Sequence, residues 1–156
     1  MEFVDHLRAN DDAMWRTCKV GHLTGSAIVV DDARTSVLLT LHPRVGRWVQ
    51  VGGHCEEGDE SLSATALREA SEESGIVGLT IDQTPIDLDI HAFDCPRRHP
   101  NRHFDVRFVC VAPPGAIAQI SDESLDLAWF SFDALPDQID AATRRLIRHA
   151  QPSTSL

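Results

Sequence analysis

The stretch VGGHCEEGDESLSATALREASEESG, from Val51 to Gly75, constrains the fold more than any other part of the chain. A β-rich run, RWVQV, ends at the pair Gly52-Gly53. Asp59 and Ser61 are both side chains able to cap a helix, and Gly75 is a natural helix stop. Between them Leu62, Ala66 and Ala70 recur at helical spacing, a stripe suited to packing on a sheet. A long helix set among strands requires a crossover, so the chain must build layers rather than a simple meander.

The flanking sequence fills in those layers. EFVDHLRAN places Phe3, Val4 and Leu7 as the apolar side of a short helix. LTGSAIVV and SVLLTLH are β-rich runs separated by the turn-rich DDARTS, which predicts a hairpin. PIDLDIHAF and HFDVRFVCVA alternate apolar with polar residues and read as half-buried strands; LDLAWFSF is a further strand. PPGAIAQISDES is a loop, and IDAATRRLIRHA a closing helix with Ile139, Ala142, Leu146 and Ile147 apolar. The expected class is α/β, an α/β/α sandwich around a mixed β-sheet, as one domain over residues 1–156.

Charge and cysteine content exclude several functions. A formal net charge of −10 argues against long nucleic acids, which are bound by neutralising phosphates with Lys and Arg. A small phosphorylated ligand stays compatible, because a metal ion can supply the positive charge. No apolar run approaches the length of a membrane span, and the acidic start MEFVDHLRAN is unlike a signal peptide. Cys18, Cys55, Cys95 and Cys110 lack CxxC spacing and read as reduced thiols, so the expected location is cytoplasmic. A homodimer is left open.

The chemistry concentrates in REASEES. Glu69, Glu72 and Glu73 share one helical face, and Arg68 stands one turn before Glu72. On an exposed helix such repulsion costs only about 0.2–0.5 kcal/mol per pair, so a solvated acidic face explains the triple equally well on its own. Partly buried carboxylates about 6 Å apart repel by roughly 3 kcal/mol at an effective dielectric of about 20, and a hard divalent cation removes that cost. Gly52-Gly53 adds a place where backbone approaches a ligand closely and a carbonyl oxygen is available.

In these residues the chain resembles the Nudix box, G-x5-E-x7-R-E-U-x-E-E-x-G-U. Gly53, Glu60, Arg68, Glu69, Ala70, Glu72, Glu73, Gly75 and Ile76 occupy the corresponding positions. The first spacer, HCEEGD, is one residue longer than the pattern; counting Asp59 instead of Glu60 moves the extra residue into the second spacer. Glu60 is preferred because a loop absorbs an insertion more cheaply than a helix. SDESLDLAWFSFDALP is similar to a late strand and loop of the same family.

The resemblance implies a Nudix fold and hydrolysis of a nucleoside diphosphate linked to another moiety, with Mg²⁺ or Mn²⁺ as cofactor. It implies Glu69, Glu72 and Glu73 as metal carboxylates, with the carbonyl of Gly52 or Gly53 as a further ligand. Arg68 is the implied orienter, with Glu60 either pairing with it or holding a further cation through water. The general base is a box glutamate, Glu69 or Glu73, or a loop carboxylate, Glu123 with Asp122 as alternative. Arg47, His54 and Arg102 are candidate substrate contacts, and Trp48 and Trp129 are each core residues or base-stacking ones. A small nucleotide or nucleoside diphosphate derivative is the expected partner.

Two rival readings stand beside this one. His91, Cys95, His99 and His103 recur every four residues, with His54-Cys55 elsewhere, and zinc favours such ligands. Pro96 and Pro100 break any helix that would align them. The second rival is a catalytically silent Nudix-like nucleotide-binding or sensor domain, which the complete carboxylate set disfavours. As to substrate, the chain has no Tyr, and His91 stands where ADP-ribose members tend to carry Pro. A nucleoside triphosphate or oxidised nucleotide is left by elimination.

Overall fold

In the computed structural model, residues 2–93, 101–122 and 124–152 are described. Helix α1 spans Glu2–Ala9, α2 Leu62–Ser74 and α3 Ala141–Ala150. The strands are β1 His22–Val30, β2 Ser36–His42, β3 Arg47–Val49, β4 Val51–His54, β5 Thr80–Ile81, β6 Asp87–Phe93, β7 Asn101–Val111 and β8 Asp126–Ser131. All eight join one mixed sheet, whose backbone order is β3-β2-β1-β7-β5, with β4 on β1, β6 on β7 and β8 on β2. The expected α/β sandwich is present.

Strand β1 is the axis of the molecule. Every residue of it is buried, because β7 pairs with it in parallel on one side while β2 and β4 pair antiparallel on the other. Alternate side chains then serve two cores. Ala27 and Val29 join Ala66 and Ala70 of α2, whereas Ile28 and Val30 join Leu146 and Ile147 of α3. The period-two alternation of a strand therefore assigns each helix its own face.

Helix α2 has the boundaries its sequence predicts. The Ser61 hydroxyl accepts from the Ala64 N–H at 3.1 Å, a cap worth about 1 kcal/mol. Gly75 ends the helix with φ 64°, and its N–H donates to the Ser71 carbonyl at 2.9 Å.

Two expectations need correction. RWVQV is not one strand: it splits at Gln50 into β3, paired with β2, and β4, paired with β1. Strand β4 also runs through the two glycines to His54 instead of stopping at them. In β6 the aspartates point inward while Leu88 is 52% exposed. The cause is Arg107, buried beneath them, which bonds to Asp105 at 2.7 Å and Asp89 at 3.1 Å. Arg145 of α3 adds bonds to Asp87 and Asp89 at 2.9 Å each. Removing one partner of such a buried set costs about 3–5 kcal/mol, so this network clamps α3 to the sheet.

Candidate active site

The Nudix-box residues assemble where α2 crosses β4. Glu73 accepts a hydrogen bond from the Gly52 N–H at 2.8 Å, so its carboxylate is held against the strand. A Cβ on Gly53 would overlap the Glu69 carboxylate, so only glycine lets that side chain lie on the β4 backbone. Glu69 and Glu73, one helical turn apart, thus face the glycine pair, while the Glu72 side chain is 60% exposed. Hard oxygen donors are therefore gathered from three carboxylates beside the backbone of Gly52 and Gly53, a donor set that fits a hard divalent cation.

Arg68 organises these carboxylates. Its Nη1 donates to Glu69 and to Glu72 at 3.1 Å each, and its Nη2 donates to the His54 carbonyl at 2.8 Å. The remaining edge of the guanidinium grips Asp59, Nε to Oδ1 at 3.1 Å and Nη2 to Oδ2 at 3.0 Å. Arg68 holds the Asp59 carboxyl down to about 2, against the effect of burial, with help from the Glu56 N–H and the Thr65 hydroxyl. Asp59 in turn raises Arg68 above its ordinary range.

This overturns the choice of Glu60 as the partner of Arg68. Glu60 is exposed, and Asp59 takes the guanidinium. The preference for Glu60 assumed that the loop absorbs the extra residue. Instead the loop is held by Asp59 itself, which accepts from both the Glu56 N–H and the Thr65 hydroxyl.

The other site candidates scatter. Glu123 lies outside the described residues, as do Cys95 and His99. Asp122 is exposed three residues after Gln119, whose N–H donates to the Ser74 carbonyl at the end of α2 at 2.7 Å. Arg47 is exposed on β3, paired with His42. Arg102 forms an ion pair with Glu2, and its guanidinium lies 5.1 Å from the Phe104 ring centre. Trp48 packs edge-to-face on Phe130, and Trp129 packs against the α2 core. The exposed tryptophan is Trp15, 42% accessible beside Cys55, Glu56 and Glu57. Nothing in its local sequence marked it.

His54 points away from Glu69, because neighbouring residues of a strand take opposite faces. Its ring centre lies 5.0 Å from that of His22 and 5.1 Å from that of His103. Burial pushes His54 down to about 4, assisted by the Arg16 cation, whose Nη2 is 2.5 Å from His54 Nδ1. Burial likewise pushes His103 down to about 3, with the neighbouring histidines adding to it. His22, which the sequence reading did not single out, is 3% exposed.

No helix among the described residues is long and apolar enough to cross a membrane. Among those residues Cys18, Cys55 and Cys110 are free thiols.

The NUDIX domain family model matches residues 21–150. No curated protein matches. Solved structures supply the fold likeness. One is a NUDIX-family hydrolase from Clostridium perfringens, with 22% identity, TM-score 0.65, and coverage of 83% of this chain and 95% of that one. A second is an Ap4A hydrolase binary complex from C. elegans, with 19% identity, TM-score 0.63, and coverage of 81% and 93%. A third is the NUDIX domain of Shewanella oneidensis NrtR complexed with ADP ribose, with 23% identity, TM-score 0.63, and coverage of 96% and 97%. With the family match spanning most of the chain and the box carboxylates gathered at α2 and β4, the chain belongs to the NUDIX family.

Proposed function

We propose that the protein is a Mg²⁺- or Mn²⁺-dependent pyrophosphohydrolase of a nucleoside diphosphate derivative, with a mild preference for a nucleoside triphosphate or oxidised nucleotide. The observation that carries this reading is the joint placement of Glu69 and Glu73 against Gly52-Gly53, with Glu72 tethered to Arg68. Glu69, Glu72, Glu73 and the Gly53 carbonyl would hold the cation. When bound, that ion neutralises charge on the diphosphate, which is the main requirement of phosphoryl transfer.

The protein's own groups do the positioning. Asp59 locks the plane of the Arg68 guanidinium, and Arg68 sets the direction of the Glu69 and Glu72 carboxylates. The Gly52 N–H orients one oxygen of Glu73. Glu123 is the proposed general base for the attacking water. A carboxylate not bound to the cation is the better proton acceptor, since a metal ligand has its basicity depressed. Arg102 and Arg47 remain candidate substrate contacts, whereas the His54 side chain, in the His22 and His103 cluster on the other face of β4, does not.

The substrate preference rests on the absence of Tyr from the chain and on His91 in place of Pro. The neighbours named for Ap4A hydrolysis and complexed with ADP ribose set the competitors.

The test is product release from a panel of nucleoside triphosphates, oxidised nucleotides, Ap4A, ADP-ribose and nucleoside diphosphate sugars, with Mg²⁺, Mn²⁺ or Zn²⁺. Activity should vanish with EDTA and return with Mg²⁺ or Mn²⁺, zinc being a poor substitute among hard oxygen ligands. Glu72→Gln and Glu73→Gln should each lower turnover at least about a hundredfold while the fold survives. Wild-type rates in both variants would defeat the metal-site assignment. Nucleotide binding without turnover of any panel member would favour the silent sensor.

A further inference from the structure

We propose that His22, His54 and His103 form a second metal centre, a site for Zn²⁺ or a similar borderline divalent ion, on the sheet face opposite the box carboxylates. The three side chains come from adjacent strands. His22 of β1 is the direct partner of His103 in the parallel β1/β7 ladder, and His54 pairs with Thr24, two residues along β1. Two-residue steps keep side chains on one face, so all three rings project to the same side. Each offers one ligand atom, and these atoms lie within 4.8 Å of one another.

Burial makes the arrangement informative. His22 is 3% exposed, yet neither of its ring nitrogens has a hydrogen-bond partner in the protein. A buried polar group left in this state costs about 1–3 kcal/mol, and nearly all such groups in folded proteins are satisfied. Metal coordination would satisfy one of the two His22 nitrogens, because imidazole nitrogen is a preferred ligand of zinc. Three histidines with a fourth position open is a recurrent zinc arrangement, whereas magnesium selects oxygen donors.

The geometry requires only small movements. Zn–N bonds of about 2.0–2.1 Å in a tetrahedron put ligand nitrogens about 3.4 Å apart, so nitrogens within 4.8 Å of one another close by moving less than about 1 Å each. The backbones stay fixed by the ladders. Arg16, an exposed side chain, would leave His54 Nδ1 when metal binds there. His54 follows Gly53 directly, and its carbonyl accepts from Arg68. The two centres therefore share strand β4 but take their ligands from opposite faces of it.

The centre can be tested apart from hydrolysis. Untagged, metal-stripped Glu72→Gln/Glu73→Gln protein, with the box site disabled, is titrated with Zn²⁺ by calorimetry and with Co²⁺ by visible absorption. One equivalent of metal and a tetrahedral-type cobalt spectrum, displaced by Zn²⁺, are expected. Adding His22→Phe should weaken binding at least about tenfold, a scale that outer-shell partners alone already reach. The metal-free melting temperature should hold or rise, since an unpartnered ring is gone. His54→Gln, at a less buried position, should weaken binding similarly and serves if His22→Phe fails to fold. Absence of one-equivalent uptake, an octahedral-type cobalt spectrum, or unchanged affinity in His54→Gln would each overturn the site. A metal-silent histidine cluster would leave the hydrolase assignment intact, and an inactive hydrolase would leave the zinc titration readable.

Discussion

Arg68 reaches back nine residues along the chain to grip Asp59 with both Nε and Nη2, at 3.1 and 3.0 Å. This bidentate pair is the anchor from which the remaining Nη1 holds Glu69 and Glu72. Planar two-point contacts fix orientation as well as energy, so the direction of two candidate metal ligands depends on a residue outside the helix.

Asp59→Asn and Glu60→Gln should therefore behave differently. Asp59→Asn leaves a mostly buried guanidinium with a weakened partner and should lower kcat at least about tenfold, with a measurable drop in melting temperature. Glu60→Gln, at an exposed position, should stay within about 0.5 kcal/mol of wild type in stability and near wild type in rate. Equal effects of the two substitutions on kcat would show that Asp59 is not the orienting carboxylate.

The same pair sets an acid limit. Asp59 titrates at about 2 in the folded protein and near its ordinary carboxylate value when unfolded. A depressed folded value means stability that is fully present above about pH 4 and lost as pH falls toward 2, about 2 kcal/mol in all. Acid denaturation of Asp59→Asn compared with wild type should show a smaller loss of stability over that window. Superimposable slopes would contradict the assignment.

Gly53→Ala isolates the packing of Glu69. The new methyl group would occupy the space of the Glu69 carboxylate, and that side chain must swing aside. Turnover should fall at least about tenfold, since small misplacements of catalytic groups are expensive. Stability should change less than for a core cavity, because a flexible side chain yields rather than backbone. Normal kcat in Gly53→Ala would mean that Glu69 does not act from its position on β4.

Glu123→Gln addresses the base. Losing general-base help should lower kcat by about 10²–10⁴, with little change in the Mg²⁺ concentration needed for half-activity. A variant within a few-fold of wild type, alongside a dead but metal-binding Glu69→Gln, would move the base to α2.

Local sequence carried much of this molecule. The α2 boundaries were legible because capping by Ser61 and termination by Gly75 are short-range events. The convergence of Glu69, Glu72 and Arg68 was legible for the same reason: a helix with 3.6 residues per turn stacks positions three and four apart whatever surrounds it. Other features depended on pairing across the sheet. Asp59 and Glu60 are neighbours with similar chemistry, and only the folded loop decides which one meets Arg68. The inward turn of Asp87 and Asp89 reverses their apparent pattern because Arg107, on another strand, lies beneath them. Trp48 and Trp129 became core residues through contacts distant in the chain, leaving Trp15 exposed. The meeting of His22, His54 and His103 was the least accessible, since 81 positions separate His22 from His103 and only the β1/β7 register makes them partners. A helix repeats its own geometry locally, whereas a ladder register is set by the cores on both faces of the sheet, and those cores exist only after the chain has folded.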